Sequence, residues 1–339
     1  MATARLETKK VDRGDHMHRR QFMAGTAALA ASVHSSPVRA QDYPARNVRV
    51  VVPYAPGGGT DFVGRVVTEQ MAAIAKQGFV VENKGGAAGA LGIRDVAAAT
   101  PDGYTLLVMD TALVILPAIN PKSGLSPSML APVALLGILP LVLVAHPSLP
   151  ADTVPELIEY AKQNPDKLNF CSGGTGTSPH LLGELLKIRA GIEMRHVPYR
   201  GAAPALTDVV GGSVQLMFTI VPVASSFIAN GQLKALATTG AERLAMLDKV
   251  PTMVEAGIKD YVAVQWFGLF APARTPEPIV RRLNSLAMTA VADAAVAKRI
   301  VDQGGIAKPG SAADFARFIE AETISWGEIA RTAKVTVDQ

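Results

Sequence analysis

The sequence predicts an α/β protein made of two doubly wound parallel sheets, and three observations predict it. Short β-like runs alternate with helix-like runs over most of the chain, the pattern that lays parallel strands between helices. Two of those runs break into glycine- and hydroxyl-rich turns just before a helix, Pro56-Gly57-Gly58-Gly59-Thr60-Asp61 and Ser172-Gly173-Gly174-Thr175-Gly176-Thr177. From Pro278 onward the chain is helical and has no convincing strand, so its last helices are expected to return to the first sheet.

The elements follow in order. Residues 48–53 form an apolar run that reads as a buried strand, and 62–75 as the helix it feeds. Strand-like runs at 78–83 and 105–109 flank a helix at 93–99. The longest apolar stretch, 130–145, contains Pro132 and Pro140 and lacks the length of a membrane span, so it reads as a buried strand pair or a hinge. A helix at 154–163 precedes a strand at 167–171, and after the second glycine turn a helix starts at Ser178 with Pro179 in its first turn. Strands at 193–198, 214–219 and 233–238 then alternate with helices at 203–211 and 223–229, and the helical tail covers 279–291, 294–303 and 312–333. If that tail returns to the first sheet, residues 41–143 and 263–339 make one lobe and 144–262 the other, with the chain leaving near Leu143 and returning near Ala263.

A strand that hands over through glycine to a helix leaves the first N–H groups of that helix without an intrahelical acceptor, at the positive end of its dipole. Such a turn seats an anion. One copy alone reads equally well as a tight turn with Thr60 or Asp61 as cap. Two copies more than a hundred residues apart suggest half-sites that face each other.

The amino end reads as an export leader. Arg19-Arg20-Gln21-Phe22-Met23 precedes a short apolar segment, 24–33, and the small-residue exit Val38-Arg39-Ala40, which places cleavage before Gln41. The paired arginines suit the Tat route for folded cargo, or form the basic region of an ordinary Sec leader; Met17 is an alternative start. The leader holds seven of the 33 Lys+Arg and three of the 29 Asp+Glu, leaving 26 of each in residues 41–339. A neutral mature chain gives no basic face for nucleic acid. Cys171 is the only cysteine, so no intrachain disulfide or cysteine zinc site is available, and His146, His180 and His196 lack metal spacing.

Enzyme patterns fail in turn. Gly176-Thr177-Ser178-Pro179-His180 puts histidine where a nucleophile elbow needs glycine, and no P-loop lysine follows Gly59-Thr60-Asp61. The dinucleotide fingerprint lacks its third glycine, and no cofactor or metal is expected. Several residues carry two readings each. Asp61 caps the helix or, through water, meets a carboxylate it would otherwise repel. His180 satisfies a local hydrogen bond or touches ligand, Arg200 sits on the surface or clamps a carboxylate, and Trp266 walls the cleft or belongs to the core.

Six segments then point to a family: Pro53-Tyr54-Ala55-Pro56-Gly57-Gly58-Gly59-Thr60-Asp61, Asn83-Lys84-Gly85-Gly86-Ala87-Ala88-Gly89, Pro101-Asp102-Gly103-Tyr104-Thr105-Leu106, Val197-Pro198-Tyr199-Arg200-Gly201, Val250-Pro251-Thr252-Met253-Val254-Glu255-Ala256-Gly257 and Trp266-Phe267-Gly268-Leu269-Phe270-Ala271-Pro272. In this order they resemble the Bug family, the extracytoplasmic solute-binding proteins of tripartite tricarboxylate transporters. The resemblance implies a type II periplasmic-binding-protein fold, two α/β lobes on a hinge, closing on a small organic carboxylate. It implies delivery to the membrane permease subunits of such a transporter, a periplasmic location and a monomer. Carried over by position, it implies ligand contacts at Tyr54, Ala55, Gly57, Gly58, Gly59, Thr60 and Asp61 in the first loop, and at Ser172, Gly174, Thr175, Gly176, Thr177 and His180 around the second. Arg200, Gly201 and Asp208 fall on the second lobe's side of the cleft, with Thr111, Thr219 and Trp266 completing the set. Where relatives often carry an acid or amide after the strand matching Leu216-Met217-Phe218, this chain has Thr219-Ile220, and the segment 110–115 is more apolar than its counterparts. Both departures point to a carboxylate without an α-ammonium group. A ligand-presenting sensor for a membrane kinase and a periplasmic enzyme using His180 with Ser178 or Asp208 remain alternatives.

Overall fold

In a computed structural model the described residues are 43–165, 167–302 and 304–336; the leader expected at 1–40 lies outside them. The first sheet starts with β1 (Val48–Val52), β2 (Phe79–Asn83) and β3 (Thr105–Asp110), paired in parallel with β1 in the middle. Helices α1 (Gly59–Ala75) and α2 (Ala90–Ala97) make the crossovers. All of β1 but Arg49 is buried, as a strand covered on both faces requires.

After α3 (Ala112–Ile119) comes the longest strand, β4 (Leu130–Ala145). The run expected as a strand pair or a hinge is one continuous strand that serves two sheets. Its first part, Leu130 to Pro140, pairs antiparallel with β9 (Val264–Pro272), and its last part, Leu141 to Ala145, pairs antiparallel with β7 (Leu216–Ile220). Pairing passes to the second sheet right after Pro140. Proline offers no N–H to a ladder, and the register shifts between Pro132 and Ala134 and between Leu135 and Gly137 absorb irregularity near Pro132.

The second sheet continues from β7 to β5 (Asn169–Ser172) and β6 (Arg195–Pro198) in parallel, and β8 (Lys234–Thr238) pairs with β4. Its helices are α4 (Val154–Gln163), α5 (Ser178–Ala190), α6 (Ala202–Val210) and α7 (Val221–Ala229). Each sheet is thus mixed rather than wholly parallel. The reason is topological: β4 leaves the first sheet and β9 comes back beside it in the opposite direction.

The tail forms α8 (Glu277–Ala292), α9 (Ala294–Val301) and α10 (Ala312–Thr332). Helix α8 packs against β4 and α1, and α10 against β4 and α3. A capping box between Ser311 and Asp314 starts α10, and Asp293 caps α9 through the N–H groups of Ala295 and Val296. The main apolar core runs beneath the first sheet and on into the second, while a separate cluster that includes Val142, Val144, Cys171, Leu206 and Met217 lies under the second sheet alone.

Candidate functional site

The parallel strands aim their carboxyl ends at one place. Beyond the ends of β1, β3, β5, β6 and β7 lies a cavity lined by Tyr54, Gly58, Gly59, Thr60 and Asp110 on one side and by Gly173, Thr177, Pro179, Ala202, Thr219 and Ile220 on the other, with Gln265 of β9 between. Ligand sites of open α/β sheets occupy this position.

Four helices start on its wall, and none has a side-chain cap. Gly58 precedes α1, Thr177 precedes α5, Gly201 precedes α6 and Ile220 precedes α7. Uncapped starts present free N–H groups and the positive ends of four helix dipoles to the same small volume. Glycine is required where the walls come close. A Cβ on Gly59 would stand 2.6 Å from Ile220 Cδ1, and one on Gly201, at φ +138°, would stand 3.1 Å from both the Cβ and the N of Ala55. The Ala55 N–H in turn donates to the Arg200 carbonyl across 3.3 Å, tying the two lips together.

Asp110 is the charged group at the centre. It is 4 % exposed. Its Oδ1 accepts from the Tyr54 hydroxyl at 3.0 Å and the Ala112 N–H at 2.9 Å, and its Oδ2 from the Thr60 hydroxyl at 2.9 Å and the Gln265 amide at 3.0 Å. Burial pushes its pKa above the ordinary carboxyl value against the pull of these four donors. With both oxygens doubly engaged, Asp110 holds Tyr54, Thr60 and Gln265 in place and keeps no strong acceptor direction for a ligand.

Each turn has its own support. At the first, Asp61 accepts from the Gly57 N–H at 3.0 Å, from Asn83 at 2.9 Å and from Arg65 at 2.9 Å. Burial would raise its pKa, but Arg65, Gly57 and Asn83 outweigh that and hold it below the ordinary value. At the second, the Ser172 hydroxyl accepts from the Gly174 N–H and lies 2.7 Å from His196 Nε2, and the Thr177 hydroxyl donates to the Gly174 carbonyl. His180 Nδ1 accepts from the Gly176 N–H at 3.2 Å, which fixes its proton on Nε2. The His180 and His196 rings stack with centroids 3.9 Å apart, beside Phe170. Burial and Lys187 push His180 down to about 4, and burial, His180 and Lys187 push His196 down to about 3.

Of the residues expected from sequence, the structure brings Tyr54, Gly58, Gly59, Thr60, Thr177 and Thr219 to the cavity wall. Ala55, Gly57 and Gly201 form its lips, and Ser172, Gly176 and His180 brace the second turn from behind. Gly174 and Thr175 line a neighbouring outer chamber. Asp61 sits inside the first turn of α1 and binds back to the Gly57 N–H ahead of Gly58, so it braces the turn without capping the helix. Other expected contacts fall elsewhere. Trp266 is 0 % exposed and packs against Phe270, Phe315 and Phe318; strand alternation turns its indole to the core and gives the cleft to Gln265. Thr111 is buried and spends its hydroxyl on the Trp266 N–H at 3.1 Å. The Arg200 side chain is exposed and enters through its carbonyl alone, and Asp208 accepts from the Tyr199 hydroxyl instead of facing the cavity.

Sequence reasoning missed Asp110, Gly173, Pro179, Ala202, Ile220 and Gln265. Asp110 was within reach, because it is the acid that ends an apolar strand on the ligand side of a parallel sheet. Gln265 was not, since only the return of β9 places it there. Among the described residues no cluster of acidic, histidine or cysteine side chains could hold a metal ion.

A cavity between two α/β sheets, ringed by helix starts, is the build of a periplasmic solute-binding protein, and solved structures of that class match it. The periplasmic binding protein BugD is 34 % identical with a TM-score of 0.83, over 87 % of this chain and 99 % of that one. A Rhodopseudomonas palustris protein, MatC, solved with bound malate, is 34 % identical with a TM-score of 0.81 over 85 % and 99 %; Rpa4515 of R. palustris, solved with adipate, is 32 % identical with a TM-score of 0.84 over 87 % and 99 %. Protein BugT of Bordetella pertussis is 35 % identical over 90 % of this chain and 93 % of its own. Residues 63–335 match the family described as tripartite tricarboxylate transporter family receptor, and the chain belongs to that family.

Proposed function

We propose that the protein is an extracytoplasmic receptor that captures a small organic carboxylate between its two sheets and delivers it to the membrane permease of a tripartite tricarboxylate transporter. The convergence of four uncapped helix starts on one cavity carries this reading. Helix starts bind an anion without a counter-ion that must be stripped of water, so the ligand can be released again. Malate and adipate in the solved relatives support the ligand class, and family membership supports the permease as partner.

In this reading 41–143 with 263–339 form one lobe and 144–262 the other, both lobes close about the strands β4 and β9, and residues 1–40 are removed on export. Thr219 and Ile220 at the wall offer no charge to an α-ammonium group, and Asp110 is saturated by its own donors, so the ligand is an acid without one. Because family members are binding proteins, the reading assigns no catalysis.

A thermal-shift panel tests it. A true ligand at a hundred times its dissociation constant adds about 2.7 kcal/mol, which for a chain of this size raises the melting temperature by roughly 5 °C. Hits are expected among mono-, di- and tricarboxylates. Stabilisation by sugars or polyamines, with none by acids, would overturn the ligand class; aspartate or glutamate acting where their desamino counterparts do not would overturn the ammonium argument alone.

A further inference from the structure

The cavity ringed by helix starts is too small for a whole organic acid. Its volume is about 40 Å³, and a single water needs roughly 10–15 Å³ on the same measure. It holds a carboxylate head and little more. Next to it lies an outer chamber of about 520 Å³, also bounded by both sides of the cleft: Leu91, Leu116, Ile119 and Leu125 come from one side, Thr175 and Tyr199 from the other.

The two spaces share their partition. Gly173 lines the inner cavity and Gly174 the outer chamber, while the Tyr54 hydroxyl of the inner wall lies 3.1 Å from the carbonyl of Ala88 in the outer one. At this boundary a Cβ on Gly174 would stand 3.3 Å from both the Cα and the Cβ of Ala88, so the two spaces meet at a close glycine–alanine contact. Ala87 and Ala88 both occupy the left-handed region, at φ 48° and 51°, a strained setting for alanine.

The outer chamber is apolar apart from a few groups, and it contains one cation. Arg94 donates to the Ser123 carbonyl at 2.6 Å, no acid lines the chamber, and Arg94 has no ion pair among the described residues. A cation at the edge of an apolar space, next to an anion-binding cavity, suits a molecule that is apolar in the middle and acidic at the ends.

We infer that the outer chamber receives the body of the ligand, so that the protein selects organic acids with an extended apolar body and places a second, distal carboxylate against Arg94. This rests on the carboxylate reading above and deepens it. The inner cavity recognises the head; the outer chamber sets length and polarity.

Titration calorimetry on the exported protein tests this with two series, straight-chain monocarboxylates from acetate to octanoate and α,ω-dicarboxylates from succinate to suberate. Affinity is expected to rise along the first series by about fourfold for each methylene that enters the chamber. Thr175→Trp, which fills the chamber from a half-buried loop position, should remove that rise. Arg94→Ala should weaken the longer diacids tenfold or more and the monocarboxylates less than twofold. Affinity that is flat along the series, or a rise that Thr175→Trp leaves intact, would overturn the chamber's role; diacids indifferent to Arg94→Ala would overturn the distal contact. If no acid of any length binds, the carboxylate reading itself has failed.

Discussion

The first turn, residues 56–61, is held by charge, whereas the second, residues 172–177, is held by neutral groups. Asp61 anchors the first through Arg65, Asn83 and the Gly57 N–H, and Asp110 stands behind it with four donors. The second hangs from Ser172, Thr177 and a pair of stacked, uncharged imidazoles. Both turns present free helix N–H groups to the same cavity, so the chemistry shown to a ligand is alike while the supports differ. The site should therefore come apart one half at a time. Each half has its own pH window and its own sensitivity to substitution.

The largest effect is expected at Asp110. Asp110→Ala strands Tyr54, Thr60 and Gln265 in a buried place, at a cost of about 3–5 kcal/mol given that hydrogen bonds to charged groups are worth roughly 1.5–3 kcal/mol each. Urea denaturation should show the loss, and acid binding should fail under conditions where the variant is still folded. A stable variant with unchanged binding would break the claim that charge organises this side of the cavity.

Acid separates the halves. His180 and His196 have folded pKa values pushed down to about 4 and about 3 from an ordinary value of 6.5. The unfolded chain therefore binds more protons, and stability present above pH 6.5 is lost as pH falls toward 4. Protonated His180 would also turn a second N–H against that of Gly176. Asp61, whose folded pKa is depressed from 3.8, keeps its contribution until pH falls below that value. Asp110, with its pKa raised, acts in the opposite sense and gains as pH falls toward 3.8. The expected loss between pH 6.5 and 4.5 is about 2 kcal/mol for each imidazole, read by denaturation at each pH. His180→Phe should flatten that slope, and an unchanged slope would contradict the imidazole support.

The smallest effect belongs to Arg65→Ala. Arg65 is about half exposed and its ion pair with Asp61 is screened, so the cost should stay below about 1 kcal/mol. Asn83 and the Gly57 N–H still hold Asp61, and ligand affinity should not change. A large loss of affinity would mean that Arg65 contributes directly to the cavity.

The strand–glycine–helix units around β1 and β5 were legible in the sequence because a local pattern makes them: an apolar run, a turn that needs positive φ at Gly57, Gly174 and Gly176, then a helix start. What the pattern could not show was how distant pieces combine. Helix α3 is buried almost all round, so it has no amphipathic period to read. The single strand β4 was hidden by its two prolines. Ala202 and Ile220 are ordinary small and apolar residues in sequence, and only the meeting of the sheets makes their helix starts part of the site. Trp266 shows the converse, a conspicuous residue that alternation along β9 turns toward the core.

Anion capture by the helix starts is tested by a crystal structure of the protein with the acid that raises its melting temperature most. A carboxylate is expected in the inner cavity with its oxygens within hydrogen-bond distance of the N–H groups at the starts of α1 and α6, near Gly59, Thr60 and Ala202. An acid held instead by the Arg200 guanidinium, or seated outside the cavity with those N–H groups unengaged, would contradict it.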